Sequence, residues 1–290
     1  MYPDFLCIGA QRAGSTWLDT NLRKHPNLWL PPIKEIHYFN YKETNHLQNR
    51  LKKIMSSHWR DIIRQQLSLS VREKDFERVL WNFKYFSGGR TDEWYHSLFE
   101  PQPHQIAGEV TPDYSALSAE TVEHIHSLMP NAKIILMLRD PIRRAWSYVF
   151  SHTLRGQNLE EIPSEVLIQH CTKRYSFLRG NYARTIEVWR SFYPRQQFFV
   201  GFFEEIKTDP EALLARICQF LNVSASAEYL ANIERKKVYS FGNTANVPME
   251  VEIALAKLHY DDIVYLKDRY GDVCQSWLNH AESLIELTSV

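Results

Sequence analysis

Apolar positions follow two alternating patterns along this chain. Short continuous apolar runs read as strands buried on both faces. Longer stretches with apolar residues every three or four positions read as helices with one face on a core. Phe5 to Ile8 is the first continuous run, and it leads straight into a glycine-bearing loop. Thr16 to Lys24 then reads as a helix, with Trp17, Leu18 and Leu22 apolar. The stretch "HPNLWLPPIKEIHYFN" (25–40) holds prolines that exclude a long helix and favour an extended path. Residues 41–105 change character, with helical patterns such as "REKDFERVLWNF" and many aromatics.

The strand–helix rhythm then resumes. "IAGEV" (106–110) reads as a brief strand and Leu117 to Met129 as a helix. "AKIILMLR" (132–139) is the clearest buried strand. Asp140-Pro141 after it supplies an N-cap and a proline at the first helical position. "QQFFVGFFE" (196–204) is another central strand, followed by a helix through Leu221. "ERKKVYSFGNTANVP" is polar and loop-like, and residues 249–289 read as helical, with a stop at Gly271. This order predicts an α/β fold of three layers, a central parallel sheet flanked by helices. The expected organisation is a single domain over 1–290, with a helical, aromatic-rich insert at about 41–105.

Composition narrows the function classes. The chain has 290 residues, 44% hydrophobic and 23% charged, enough for a buried core. Lys+Arg and Asp+Glu are both 34, so the basic excess usual for a nucleic-acid binder is missing. Cys7, Cys171, Cys218 and Cys274 are scattered without a CxxC pair, which reads as free thiols in a reducing compartment. No apolar run approaches the length of a membrane span, and Phe5 to Ala10 is too short for a signal segment. A soluble, cytoplasmic protein with no membrane or nucleic-acid partner is expected. The histidines form no metal pattern, because His124 and His126 are two apart on a helix and do not share a face.

Three places carry candidate chemistry. In "CIGAQRAGSTWL" (7–18), Gly9 and Gly14 have P-loop spacing and Thr16 is in place, but Ser15 stands where a P-loop has lysine. Arg12 brings a charge three residues earlier. A glycine loop between a strand and a helix gathers N–H groups on an anion, and the missing lysine argues against Mg²⁺-dependent triphosphate chemistry. In "LRDPIRRAWS", Arg139 ends a central strand, where ligands of open α/β sheets bind. Ser147, eight residues on, can share an anion with it; the alternative is an Arg139–Asp140 pair and a core hydroxyl. In "PPIKEIHYFN", an extended path would point Glu35 and His37 the same way, as two candidate bases.

These motifs together resemble the PAPS-dependent sulfotransferases. "CIGAQRAGSTWL" is similar to their 5′-phosphosulfate loop, and "LRDPIRRAWS" to their 3′-phosphate signature. "KEIHYF" and "GEVTPDY" (108–114) resemble elements of the carbohydrate, heparan-type branch, and all four stand in the family's order. "KVYSFGNTANVP" resembles, more loosely, a loop that closes over the nucleotide. The resemblance implies a sulfuryl group moved from PAPS to a hydroxyl or amine of a sugar or small metabolite, leaving PAP and using no metal. It implies that Gln11, Arg12, Ala13, Gly14, Ser15, Thr16 and Trp17 hold the phosphosulfate. Arg139 and Ser147 would hold the 3′-phosphate, and Lys237 and Ser240 would close over it. Arg12 would offset charge on the bridging oxygen, and Glu35 would take the acceptor proton, with His37 the competing base.

Two departures stand out. The family has Lys where this chain has Arg12, and its second active-site Lys falls at Val110. Lys34, Arg143 and Arg144 are the cations that could substitute. A PAP-binding protein with impaired catalysis and a phosphoryl-transfer enzyme with a degenerate P-loop remain open readings. So does a homodimer. The aromatic-rich segment reads equally as an acceptor lid or as a helical packing layer.

Overall fold

The apolar runs become five strands: β1 (Phe5–Gly9), β2 (Leu28–Trp29), β3 (Ile106–Val110), β4 (Lys133–Leu138) and β5 (Phe198–Phe202). They form one sheet in the order β2-β3-β1-β4-β5, and every pairing is parallel. This computed structural model describes residues 1–44, 76–153, 157–158, 161–235 and 247–288. β1 is central, with Cys7 opposite Val110 on one side and Ile135 on the other. Phe5 to Ile8 and Ile134 to Leu138 have no exposed surface, so both faces of the sheet are covered. Burying a side chain of this size contributes roughly 1.5–3 kcal/mol.

Helices flank the sheet. Up to β4 they are α1 (Ser15–Leu22), α2 (Tyr38–Thr44), α3 (Phe76–Ser87), α4 (Asp92–Ser97) and α5 (Ala119–Leu128). Between β4 and β5 come α6 (Pro141–His152), α7 (Ser164–Thr172), α8 (Arg174–Leu178) and α9 (Tyr182–Arg190). After β5 come α10 (Glu205–Thr208), α11 (Pro210–Leu221), α12 (Ala227–Ala231), α13 (Met249–Tyr270) and α14 (Asp272–Glu286). The chain's end thus holds two helices broken at Gly271, where φ is 67°.

Local chemistry sets the boundaries. Asp140 accepts from Ile142 N (2.9 Å) and Arg143 N (3.4 Å), and Pro141 opens α6 as expected. The single helix expected after β5 is instead two. Asp209 caps a new helix through Ala212 N, and Pro210 has no N–H with which to continue the old one. Ser118 caps α5 through Thr121 N, which delays its start to Ala119.

Most of the described aromatics before β3 pack inward. Trp81 stacks on Tyr85 at 5.2 Å and Tyr38 on Tyr95 at 5.0 Å. Tyr95 donates to Glu109 Oε2 (2.5 Å), and Thr111 (2.5 Å) and Tyr114 (2.9 Å) donate to Oε1. Three hydroxyls thus satisfy a buried carboxyl at the end of β3, whose pKa burial raises against those same bonds. The described aromatics here form a packing layer, with Phe76, Leu80 and Phe83 left exposed along α3. The four cysteines are buried free thiols. Among the described residues no helix is long and apolar enough to cross a membrane.

Gly14 is the glycine on which the site depends. It has φ 92° at the start of α1, and a Cβ there would collide with Ile206 Cδ1. Gly14→Ala is expected to cost about 1–3 kcal/mol, from left-handed strain and overpacking together. Urea unfolding checks this, and a midpoint within error of the parent would refute it.

Candidate active site

Parallel strands put all their carboxyl ends on one edge of the sheet, and each of the five contributes to a single cleft there. β1 leads to Gln11, Arg12 and the turn Gly14 to Trp17; β2 leads to Glu35; β3 leads to Pro112. β4 leads to Arg139, and β5 leads to Phe203, Ile206 and Lys207, with Arg235 completing the rim. The cleft encloses about 250 Å³.

One end of the cleft is cationic. Arg139 is 6% exposed, donates to the Arg12 carbonyl (3.0 Å) and lies over the Phe203 ring (4.6 Å). Tyr182 fixes its backbone by donating to its carbonyl (2.9 Å). Arg12 Nε donates to Ser147 Oγ at 3.1 Å. Burial lowers the pKa of both guanidiniums, against the attraction of Asp140 and Glu204 in the case of Arg139, and no carboxylate among the described residues lies in ion-pair range of either. A buried cation without a partner costs several kcal/mol, so this arrangement calls for an anion. The structure thus brings Arg12, Arg139 and Ser147 together, with Ser147 reached through Arg12. Ser147 and Ala13 are buried and do not line the cleft.

The other end is the start of α1. No side chain caps that helix, so its first-turn N–H groups, at Ser15, Thr16 and Trp17, are available to an anion. Gln11 Oε1 is buried in the wall with no hydrogen-bond partner among the described residues. Lys34 Nζ lies 3.3 Å from both Ser15 Oγ and Thr16 Oγ1 and 2.8 Å from Glu35 Oε1. Of the three cations that could stand in for the absent lysine, only Lys34 is at the loop. Arg143 pairs with Glu252 (3.1 Å), and Arg144 is buried against Ser176 O (2.8 Å). Val110 is a buried strand residue.

Glu35 and His37 do meet, with Oε2 3.3 Å from Nε2, but not through an extended path. Both are left-handed, with φ 63° and 59°, and Arg12 has φ 71°. Such backbone costs a non-glycine residue about 1–3 kcal/mol and persists only where surroundings enforce it. Burial acts to raise the Glu35 pKa. The hydrogen bond from His37 and the Lys34 charge outweigh it, holding the carboxyl down at about 2.

Lys237 and Ser240 lie outside the described residues. The chain just before them is tied to α1, because Trp17 Nε1 donates to Glu234 O (2.5 Å) and Asn21 Oδ1 accepts from Glu234 N (2.6 Å). Phe203, Ile206, Lys207 and Arg235 also line the cleft but escaped the sequence reading; only the position of Phe203 just past a strand end could have signalled it. Among the described residues no group of three His, Cys, Asp or Glu could hold a metal.

Comparison with known proteins agrees with this architecture. A family model described as "Sulfotransferase family" matches residues 3–227. Membrane-associated sulfotransferase kil1 of Dictyostelium discoideum is 31% identical over 169 residues, 58% of this chain and 27% of that protein. Human bifunctional heparan sulfate N-deacetylase/N-sulfotransferase 3 is 27% identical over 244 residues, 78% of this chain and 23% of that protein. The chain thus spans about a quarter of the length of these two relatives. A solved sulfotransferase from Alicyclobacillus acidocaldarius superposes with TM-score 0.63 at 20% identity, covering 96% of this chain and 99% of that one. Mouse sulfotransferase SULT7A1 complexed with PAP superposes with TM-score 0.50 at 14% identity, covering 97% and 89%. Both likenesses concern the fold.

The depressed Glu35 pKa makes stability depend on pH. A carboxyl whose folded pKa lies below its unfolded value of 4.5 stabilises the fold above 4.5, and that contribution disappears as pH falls toward about 2. Glu35→Gln is therefore expected to be less stable than the parent by about 1–2 kcal/mol at pH 7, a figure discounted for partial exposure. The gap should close between pH 4.5 and 2, as followed by denaturant titration across that range. A gap that persists unchanged at pH 2 would show that the ion pairs with Lys34 and His37 do not set it.

Proposed function

The chain belongs to the sulfotransferase family, and from that premise we propose that it moves a sulfuryl group from PAPS to a hydroxyl or amine of a carbohydrate or small acceptor. The observation that carries the reading is one cleft lined by the buried Arg139 and the half-buried Arg12, with no carboxylate in ion-pair range among the described residues, together with a helix start that has no side-chain cap. A ligand with an anion at each end answers both demands, and a 3′-phosphate with a 5′-phosphosulfate is such a ligand. The heparan sulfate named for one relative supports a sugar acceptor. A protein of this fold complexed with PAP supports the nucleotide.

The roles follow from placement. Arg139 and Ser147 hold the 3′-phosphate; Arg12, expected at the bridging oxygen, lies against Ser147 and is here assigned to the 3′-phosphate with them. The first-turn amides of α1 and the hydroxyls of Ser15 and Thr16 hold the phosphosulfate. Transfer forms a bond from the acceptor oxygen or nitrogen to sulfur and breaks the bond from sulfur to the bridging oxygen. The acceptor proton goes to Glu35, and the electron pair of the broken bond goes to the bridging oxygen. Lys34 sits between the two ends of this exchange. While it pairs with Glu35, the carboxylate is a weak base; when it turns to the anion beside Ser15 and Thr16, Glu35 loses that partner and gains basicity. Lys34 then meets the charge that grows on the bridging oxygen, which is where a preorganised cation is most effective. The buried Val110 favours a second reading, PAP binding with weak turnover, and Lys34 is the argument against it.

Two measurements test the proposal. PAP and PAPS should raise the melting temperature without added metal, with about 2.7 kcal/mol gained at a hundredfold excess over Kd, and ADP should do much less. Equal shifts with ADP, or a strict Mg²⁺ requirement, would defeat the nucleotide assignment. Glu35→Gln should leave PAP affinity intact and lower kcat by about 10² to 10⁴, with His37→Ala as the matched control. Loss of turnover in the histidine variant alone would transfer the base role to His37.

A further inference from the structure

A second carboxylate stands behind His37. Asp113, in the short 3-10 turn Pro112–Ala116 after β3, places Oδ2 3.8 Å from His37 Nδ1. The other ring nitrogen, Nε2, faces Glu35. Asp113 is itself clamped: Arg179 Nε (3.0 Å) and Nη2 (2.9 Å) both reach its Oδ1. Arg179 is 3% exposed, and its guanidinium carbon lies 3.3 Å from the Tyr175 ring centroid and 5.3 Å from that of Tyr148. Tyr175 OH reaches toward Asp113 Oδ2 at 3.5 Å. Asn40 completes the frame, with Oδ1 3.2 Å from His37 Nδ1 and Nδ2 donating to the Asp113 carbonyl (3.4 Å).

The arrangement is costly unless it serves a purpose. A buried Asp–Arg pair is at best a modest source of stability. The arginine also comes from a segment 66 residues away in sequence, between α8 and α9. Its product is a carboxylate fixed on the ring side opposite Glu35. His37 has a left-handed backbone, and the Nδ1 side of its ring is met by Asn40 and Asp113. The Asn40 amide meets Nδ1 as an acceptor, which favours a proton there and leaves Nε2 directed at Glu35.

We propose that Asp113, held by Arg179, is a positioning residue that fixes the orientation and charge of the His37 ring, and through it the carboxylate of Glu35. The inference rests on the proposed role of Glu35 as base. It makes Glu35, His37, Asp113 and Arg179 one continuous array, recruited from the segment before α2, the turn after β3 and the segment after α8. Asp113 does not touch the nucleotide cleft. Its removal is therefore expected to act on turnover and not on PAP binding.

The test has an arm that needs no activity. The titration of His37 is followed by ring-nitrogen NMR in the parent, in Asp113→Asn and in the double variant Asp113→Asn/Arg179→Met, which removes both buried charges and leaves no orphan. Among the described residues, the groups facing His37 include Glu35 and Lys34 from its own segment, Asn40 from α2, Asp113 with Tyr175 and Arg179 behind it, and Glu109 from β3. Taking one negative charge from beside an imidazolium should lower the His37 midpoint by roughly half a unit to one unit in Asp113→Asn, and by less in the double variant, where loss of the Arg179 charge behind Asp113 offsets part of the effect. Turnover with PAPS should fall about tenfold in kcat, with PAP affinity and the KM for PAPS unchanged. An unmoved His37 midpoint in folded Asp113→Asn overturns the proposal whatever the activity shows. A shifted midpoint with unchanged kcat also overturns it, because the ring is then held without consequence for Glu35. If the parent transfers no sulfuryl group, the functional reading fails on its own, and the NMR arm still decides whether Asp113 holds His37.

Discussion

The common direction of the strands governs everything else in this molecule. Because all pairings are parallel, each strand's exit lies on the same edge, and segments far apart in sequence arrive together. The glycine turn, Glu35, Pro112, Arg139 and Phe203 share one cleft for that reason. The sheet can hold them there because its central strands have no exposed side chains and form a rigid, close-packed base. Reversing any one strand would send its functional loop to the opposite edge.

Charge balance distinguishes the cleft from an ordinary loop cluster. Ion pairs elsewhere, such as Lys267–Asp268, lie largely in solvent and contribute little. In the cleft, the buried Arg139 and the half-buried Arg12 have no carboxylate in ion-pair range among the described residues, while Lys34 beside it is shared between a carboxylate and two hydroxyls. The cationic groups of the site thus differ in burial and pairing, and the proposed ligand with two anionic groups would meet each of them differently.

Much of this architecture was legible in the chain. The strands were visible because a two-face-buried strand leaves a continuous apolar run, as in Ile134 to Leu138, and Asp140-Pro141 marks a helix start by chemistry that needs no tertiary context. The split of α10 from α11 is equally written in Asp209-Pro210. Strand alternation does not account for the meeting of Glu35 and His37, since their left-handed backbones bring them together by another route. The contact between Arg12 and Ser147 spans 135 positions, and the clamp of Arg179 on Asp113 spans 66. No local pattern encodes such pairs; they exist only once the sheet has gathered its ends. The choice of Lys34 among three candidate cations was likewise decided by where the chain places each one.

The left-handed backbones at Arg12, Glu35 and His37 also shape how the chain can drift. Glycine or asparagine at these positions would accept the backbone readily and erase the chemistry, whereas a valine or isoleucine would lose both. Inheritance therefore meets a lopsided filter here. Variants that fold, express and resist proteolysis as well as the parent can be silent in function, so abundance is a poor proxy for competence at these three sites. A library screened for solubility alone would enrich well-behaved bystanders, and a lineage released from its substrate would decay at these positions first while its fold persisted.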